Sequence, residues 1–552
     1  MTKSALQIAR AAYEPKIPAI LKGAVKAVDG AGTQSVADRE EIKKLFPHTY
    51  GMPVVTFEKN SGQPAYPAVN AGVILSGGQA PGGHNVIAGL FDGLKAANGD
   101  SRLYGFLLGP GGLVAHKYRE LDREVIDEYR NTGGFDIIGS DRTKLKKEKG
   151  HFDAAYNILK KLDIKALVII GGDDSNTNAC VLAEHFKSVG AGIQVIGCPK
   201  TIDGDLKNEQ IETSFGFDTA CKVYSEVIGN IQRDCNSSKK YWHFIKLMGR
   251  SASHITLECA LQTHPNICLI SEEIEAKRQT LGDIVEYIAG VVAARAFTGD
   301  NFGTVLIPEG LIEFIPEMNR LIAELNDFLC KNESEYKMVK KSEQRAYIIS
   351  KLTKGNAELY ASLPENVARQ LTLDRDAHGN VQVSLIETEK LLAEMVSNRI
   401  SEWKRDGEKY PSASAFATQV HFFGYEGRCA APSNYDADYC YSLGYTASCL
   451  INAGKTGYMA SVRNTTAPAD RWIAGGVPIT MMMNVETRDG KPAPVIRKAL
   501  VKLDGAPFGK FVSEREEWAV KTDYVYPGPI QYFGPAEVCD QPTITLKLEQ
   551  SK

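Results

Sequence analysis

Four short apolar runs, each shut off by glycine or proline, constrain the fold of this chain more than any other feature of its sequence. They are Ala71–Leu75 before SGGQAPGG, Ala166–Ile170 before GGDDSN, Gln194–Gly197 before CPKTIDGD, and Gly303–Ile307 before PEG. Their length, their β-branched residues and the breakers behind them predict buried strands rather than pieces of helix. Between them lie helical patterns. One begins near Ser175-Asn176-Thr177, which can cap a helix, carries Ala179, Leu182, Ala183 and Phe186 on one side, and stops at Gly190. Strand, glycine-rich loop and helix in alternation predict an α/β fold with a doubly wound parallel sheet. In such sheets ligands bind beyond the carboxyl ends of the strands, which is where these loops fall.

Size and composition narrow the class. At 552 residues the chain is too long for one ordinary core, so at least two domains are expected. Acidic and basic residues nearly cancel, leaving a formal charge of -3. That balance gives no reason to expect a nucleic-acid or membrane partner, and an anionic ligand must be bound by a local cationic cluster. The eleven cysteines form no CxxC pair, and Cys180 and Cys449 sit in apolar surroundings. They predict reduced core thiols, and with no signal-peptide pattern and no long apolar run the expected location is cytoplasmic.

The remaining segments divide the chain further. Residues 1–66 are a Pro- and Gly-containing extension without a recognisable motif. Residues of about 311–410 are charged and largely helical, with Ile315, Met318, Leu321, Ile322 and Leu325 at helical spacing and a second helix from about Glu387 to Trp403. This stretch reads as an insertion whose stripe is packing surface. Past residue 460, the alternation around Pro478–Val485, the Asp489-Gly490 turn and Val495–Leu503 predict a hairpin.

Three loops carry the chemistry. Gly171-Gly172-Asp173-Asp174-Ser175 joins a glycine pair, which permits close backbone approach, to carboxylates that can hold a metal ion. Phosphoryl transfer needs both, because its catalysis is mostly positioning and charge neutralisation. Taken alone, the same letters also fit an acidic turn followed by a helix cap. Pro199-Lys200-Thr201-Ile202-Asp203-Gly204-Asp205 places two carboxylates two residues apart, able to divide the roles of proton acceptor and metal support. Gly77-Gly78-Gln79-Ala80-Pro81-Gly82-Gly83 can turn several amides toward an anion. It is neither a Walker A sequence nor GxGxxG. The letters Gly454-Lys455-Thr456 mimic a P-loop, but Cys449 stands where its first glycine belongs.

The ordered set SGGQAPGGHN, GGDDSNTNA, PKTIDGD, MGR, PEG and GYEGR resembles the phosphofructokinase family, over about residues 70–310 and again at Gly424–Arg428. The extension and insertion resemble its long, pyrophosphate-using branch. The resemblance implies two Rossmann-like, doubly wound domains: residues 67–214 with about 428–500 for the phosphoryl donor, and 215–310 with about 411–427 for fructose 6-phosphate. The insertion 311–410 and a C-terminal segment 501–552 complete the chain. It further implies Asp203 as the base for the sugar 1-hydroxyl, Thr201 beside the transferred group, and Asp173 at Mg2+ with Asp205 close by. Gly77 and Gly78 would line the donor site, and Arg142 would stand near the transferred group. Thr201, Ile202, Asp203, Met248, Gly249, Arg250, Glu309, Tyr425, Glu426, Gly427 and Arg428 are the implied sugar-phosphate contacts, Arg250 also being catalytic. Lys240 and Tyr241 fall where the family lends residues to a neighbouring subunit, so a homodimer is implied. Short ATP-using members have an arginine in that segment, which makes the match at this position looser.

Donor choice turns on two side chains. ATP-using members have glycine at the positions of Asp174 and Lys200. Glycine leaves room for an α-phosphate, whereas an aspartate fills that space and repels its charge. Lys200 offers a compact cation where pyrophosphate would end. The same two residues also suit an ion pair with each other. The expectation is pyrophosphate-dependent phosphorylation; the open alternatives are an ATP-dependent phosphofructokinase, a non-catalytic regulatory subunit, or a nucleotide or lipid kinase sharing the GGD loop.

Overall fold

The computed structural model describes residues 4–62, 65–373, 385–407, 409–412, 414–488, 491–530, 536 and 540–551. Its contacts divide the chain into two compact units: Met1–Val223 with Tyr425–Ala499 and Pro529–Lys552, and Tyr224–Gly424 with Leu500–Gly528. Among the described residues no helix is long and apolar enough to cross a membrane.

The first unit is built on a sheet that has nine strands among the described residues. Its centre is parallel: Arg102–Phe106, Asn70–Leu75, Ile164–Gly171, Gln194–Pro199 and Tyr458–Arg463 lie side by side in that order. These strands are buried on both faces, as their continuous apolar runs require. The register aligns Leu75 with Ile170 and Gly171 with Pro199, so the loops after three predicted strands leave the sheet together. Antiparallel strands flank the centre. Ile473–Pro478, Pro53–Lys59 and Val25–Gly32 extend one side, and Tyr118–Glu120 ends the other. The extension is therefore part of this sheet, joined to it by main-chain pairing that no side-chain motif announces.

Helix Gly83–Ala97 packs against helix Asn434–Asn452 at backbone contact. A Cβ on Gly89 would stand 2.1 Å from Tyr441 O, and one on Gly444 would stand 1.9 Å from Val86 O. Only glycine fits at either crossing point. The helix after Gly171 runs from Asp173 to Ser188, two residues earlier than the caps suggested. Ser175 turns instead to Ser76 Oγ, at 2.8 Å, and Asn176 donates to the carbonyls of Gly171 and Gly172. Asp173 and Asp174 consequently occupy the first helical turn, where the helix dipole favours negative charge. The late hairpin pairs Met483–Arg488 with Lys491–Ile496, and its Asp489-Gly490 turn lies outside the described residues. Lys455 pairs with Asp29 at 2.5 Å and Thr456 Oγ1 accepts from Val195 N, so the false P-loop letters serve packing. The described cysteines are free thiols, most of them buried.

The second unit holds a four-stranded parallel sheet in the order Thr418–Phe423, Trp242–Leu247, Gly303–Pro308, Ile267–Cys268. The predicted insertion is not an appendage to it. Helices Pro316–Met338 and Thr388–Asp406 build one core with Trp242, Phe244, Val305 and Ile307. All five residues of the predicted stripe, from Ile315 to Leu325, are buried. At about 1.5–3 kcal/mol for each such side chain, this packing is a main contribution to the unit's stability. Lys246 follows Trp242 and Phe244 on the same face of its strand. It is buried there against Glu389 at 3.0 Å and donates to Ile386 O at 2.8 Å.

Candidate active site

Three loops of the first unit meet where the strand ends align. Ser76 N donates to Ile170 O and Lys200 N to Gly171 O, each at 2.9 Å, so each loop is pinned to the neighbouring strand. Gly77 adopts φ +83°, a left-handed conformation open to glycine. Its N–H donates to Asp141 O at 2.8 Å, and Ser140 Oγ donates to Gly77 O at 3.0 Å. Asp141 is itself held by Gly111 N and Thr143 Oγ1, which fixes the segment carrying Arg142.

The glycines leave space for cations. A Cβ on Gly77 would lie 3.4 Å from Lys200 Nζ, and one on Gly78 would lie 3.0 Å from Arg428 Cζ. Lys200 is only 5% exposed. Burial, followed by the Arg428 charge, lowers its pKa to about 8, with Asp203 and Asp173 opposing and Arg142 adding to the fall. Arg428 Nε is buried without a hydrogen-bond partner. A buried donor of this kind is suited to an anion, because leaving it unpaired costs about 1–3 kcal/mol.

Carboxylates stand beside these cations. The Asp203 N–H donates to Thr201 Oγ1 at 3.1 Å, and Ser214 Oγ donates to Thr201 O at 3.1 Å, which tightens the turn around Ile202. Asp205 is buried. Its pKa rises to about 7, first through that burial and then through the charges of Asp203 and Asp173. Excess negative charge of this sort suits a divalent cation. Among the described residues no three His, Cys, Asp or Glu side chains converge to hold a metal by themselves. Asp173, with Asp205 near it, fits an ion that takes one or two protein carboxylates and completes its shell with phosphate oxygens and water. Asp174 is exposed in the first helical turn.

One cation in this region has no signature in the sequence. Lys498 Nζ lies 3.8 Å from Asp173 Oδ2, and the neighbouring Ala499 N–H donates to Asp205 O at 2.7 Å. Nothing local to Arg497-Lys498-Ala499 marks it as a site residue, since its neighbours belong to loops far away in the chain. Arg428, assigned with the sugar contacts, is the other surprise, because it lies against the donor-side glycine loop. Tyr425, Glu426, Gly427 and Arg428 form a single helical turn on which Tyr425 is 64% exposed.

In the second unit, Met248-Gly249-Arg250 follows the strand Trp242–Leu247. Gly249, at φ +120°, donates its N–H to Glu309 Oε2 at 3.2 Å, and Glu309 is buried. These residues form one group. Lys240 and Tyr241 do not join it, because they precede the same six-residue strand. At about 3.3 Å per residue, the two ends are roughly 20 Å apart.

Cations set over a glycine loop, with carboxylates at their side, are what the transfer of a phosphoryl group requires. Residues 70–451 match the family described as Phosphofructokinase, and the chain belongs to that family. Relatives narrow the likeness. The chain is 66% identical over 551 residues to the Pyrophosphate–fructose 6-phosphate 1-phosphotransferase of Porphyromonas gingivalis, covering 100% of both. It is 53% identical to the protein of the same name from Treponema pallidum, over 100% of this chain and 98% of that one. The solved structure of a pyrophosphate-dependent phosphofructokinase from Marinobacter aquaeolei superposes with a TM-score of 0.52. It is 16% identical and covers 79% of this chain and 86% of that one, a likeness of fold.

Proposed function

We propose that this enzyme transfers a phosphoryl group reversibly between pyrophosphate and the 1-hydroxyl of fructose 6-phosphate, giving fructose 1,6-bisphosphate and phosphate. The observation that carries the reading is the buried Lys200, which stands with Arg428 over Gly77 and Gly78 and within the field of Asp173 and Asp203. A terminal phosphate fits against such cations. The exposed Asp174 would meet the α-phosphate of ATP with like charge, which costs several kcal/mol.

In the forward direction Asp203 takes the proton from the 1-hydroxyl as its oxygen bonds to phosphorus. The bridging P–O bond breaks and phosphate leaves. Lys200, Arg428 and Arg142 hold the donor oxygens, and Thr201 is positioned by the Asp203 N–H beside the transferred group. Asp173, with Asp205 near it, would hold Mg2+, and the ion would supply charge neutralisation for the donor. Met248-Gly249-Arg250, Glu309, Thr201, Ile202, Asp203 and the Tyr425–Arg428 turn are the proposed contacts to the sugar phosphate. Lys240 and Tyr241 are proposed to serve the neighbouring subunit of a homodimer. Their place at the far end of the strand from Met248 supports this, since one sugar phosphate cannot span a strand of that length.

The test is turnover of purified protein with fructose 6-phosphate and magnesium, comparing pyrophosphate with ATP, and then the reverse reaction with phosphate. We expect turnover in both directions with pyrophosphate and little with ATP. Asp174→Gly combined with Lys200→Gly should lose pyrophosphate activity and gain with ATP. Unchanged donor preference in that variant would move the gate to other residues.

A further inference from the structure

Lys200 and Arg428 cover one side of the donor loop, and the three carboxylates Asp173, Asp203 and Asp205 crowd nearby. A highly charged anion entering there meets this negative charge, and every protein cation on the carboxylate side offsets part of it. We propose that Lys498 is such a cation, a further pyrophosphate-binding residue contributed by the segment after the late hairpin. The inference rests on the functional reading above and deepens it.

Its position is set by the backbone. Strand Lys491–Ile496 packs on the helix that begins at Asp173. Arg497 N donates to Met482 O at 2.9 Å, and Ala499 N donates to Asp205 O at 2.7 Å. Residue 498 is thus anchored on both sides, independent of its own side chain. The side chain lies 3.8 Å from Asp173 Oδ2, and both partners are about one-third exposed, at 32% and 28%. A partly solvated ammonium on a flexible four-carbon stem can turn to a phosphate oxygen.

The experiment compares Lys498→Ala and Lys498→Arg with the unaltered enzyme, by steady-state kinetics and by calorimetric titration of magnesium pyrophosphate. For the alanine variant we expect the KM for pyrophosphate and its calorimetric Kd to rise about 10- to 100-fold. The KM for fructose 6-phosphate should change little, and arginine should restore most of the loss. An unchanged pyrophosphate Kd in Lys498→Ala overturns the proposal. So does an equal rise in both KM values together with a lower melting temperature, because that pattern marks a structural role. Absent pyrophosphate turnover in the unaltered enzyme would instead overturn the functional reading, and the calorimetric comparison would still decide the fate of Lys498.

Discussion

A lysine buried to 5% exposure among charges of both signs titrates inside the range where enzymes are assayed. Lys200, at about 8, lies below its ordinary 10.5 because burial and Arg428 disfavour its charge. The folded chain therefore binds fewer protons at this group than the unfolded chain between about pH 8 and 10.5. By linkage the cost to stability is full below pH 8 and is relieved as pH rises through that window. Function follows the opposite course, since deprotonation removes a cation from the donor loop. The KM for pyrophosphate should climb above about pH 8, and Lys200→Arg should flatten the climb because guanidinium stays charged. The ratio of the two profiles cancels the donor's own ionisation, and a ratio that stays constant with pH would assign the climb to another group. The sequence made Lys200, Asp173, Asp174 and Asp203 legible because each stands directly behind an apolar run. It was silent on Lys498 and on the approach of Arg428 to Gly78, because both reach the loops through tertiary contacts between distant segments.

Among the elements, the strand Trp242–Leu247 and the helix Thr388–Asp406 share the buried pair Lys246–Glu389. With side chains 2% and 6% exposed, removing one partner strands the other in an apolar core. Lys246→Met should cost about 3–5 kcal/mol in denaturant unfolding, and adding Glu389→Leu should recover much of it. Additive losses in the double variant would show that the pair is not the source. The helical stripe in this region was legible from its 3.6-residue period. That it forms the core of the sheet was not, because periodicity shows that a face is buried without naming its partner. The start of helix Asp173–Ser188 was misread for a related reason. Ser175, Asn176 and Thr177 resemble caps, whereas Gly172 precedes the first turn and the acidic pair within it was the better signal.

For the whole molecule, the proposed homodimer predicts sharing between chains. An Asp203→Asn chain lacks the base, and a Lys240→Ala/Tyr241→Ala chain lacks what its neighbour needs. Neither should turn over alone, yet co-expression should restore on the order of a quarter of normal activity, because half the random dimers hold one complete site. No restoration would mean that each chain completes its own site. The N-terminal extension acts at this scale too. Its strands Pro53–Lys59 and Val25–Gly32 cover Ile473–Pro478, and the outermost is mostly exposed, carries Lys26 and Asp29, and breaks register between Asp29 and Gly32. A charged, irregular rim is a poor template for another molecule's backbone, whereas a bare Ile-Ala-Gly-Gly-Val-Pro edge invites strand addition. Shortening the chain at residue 66 would therefore first be felt as aggregation during expression, with solubility lost before catalysis could be measured.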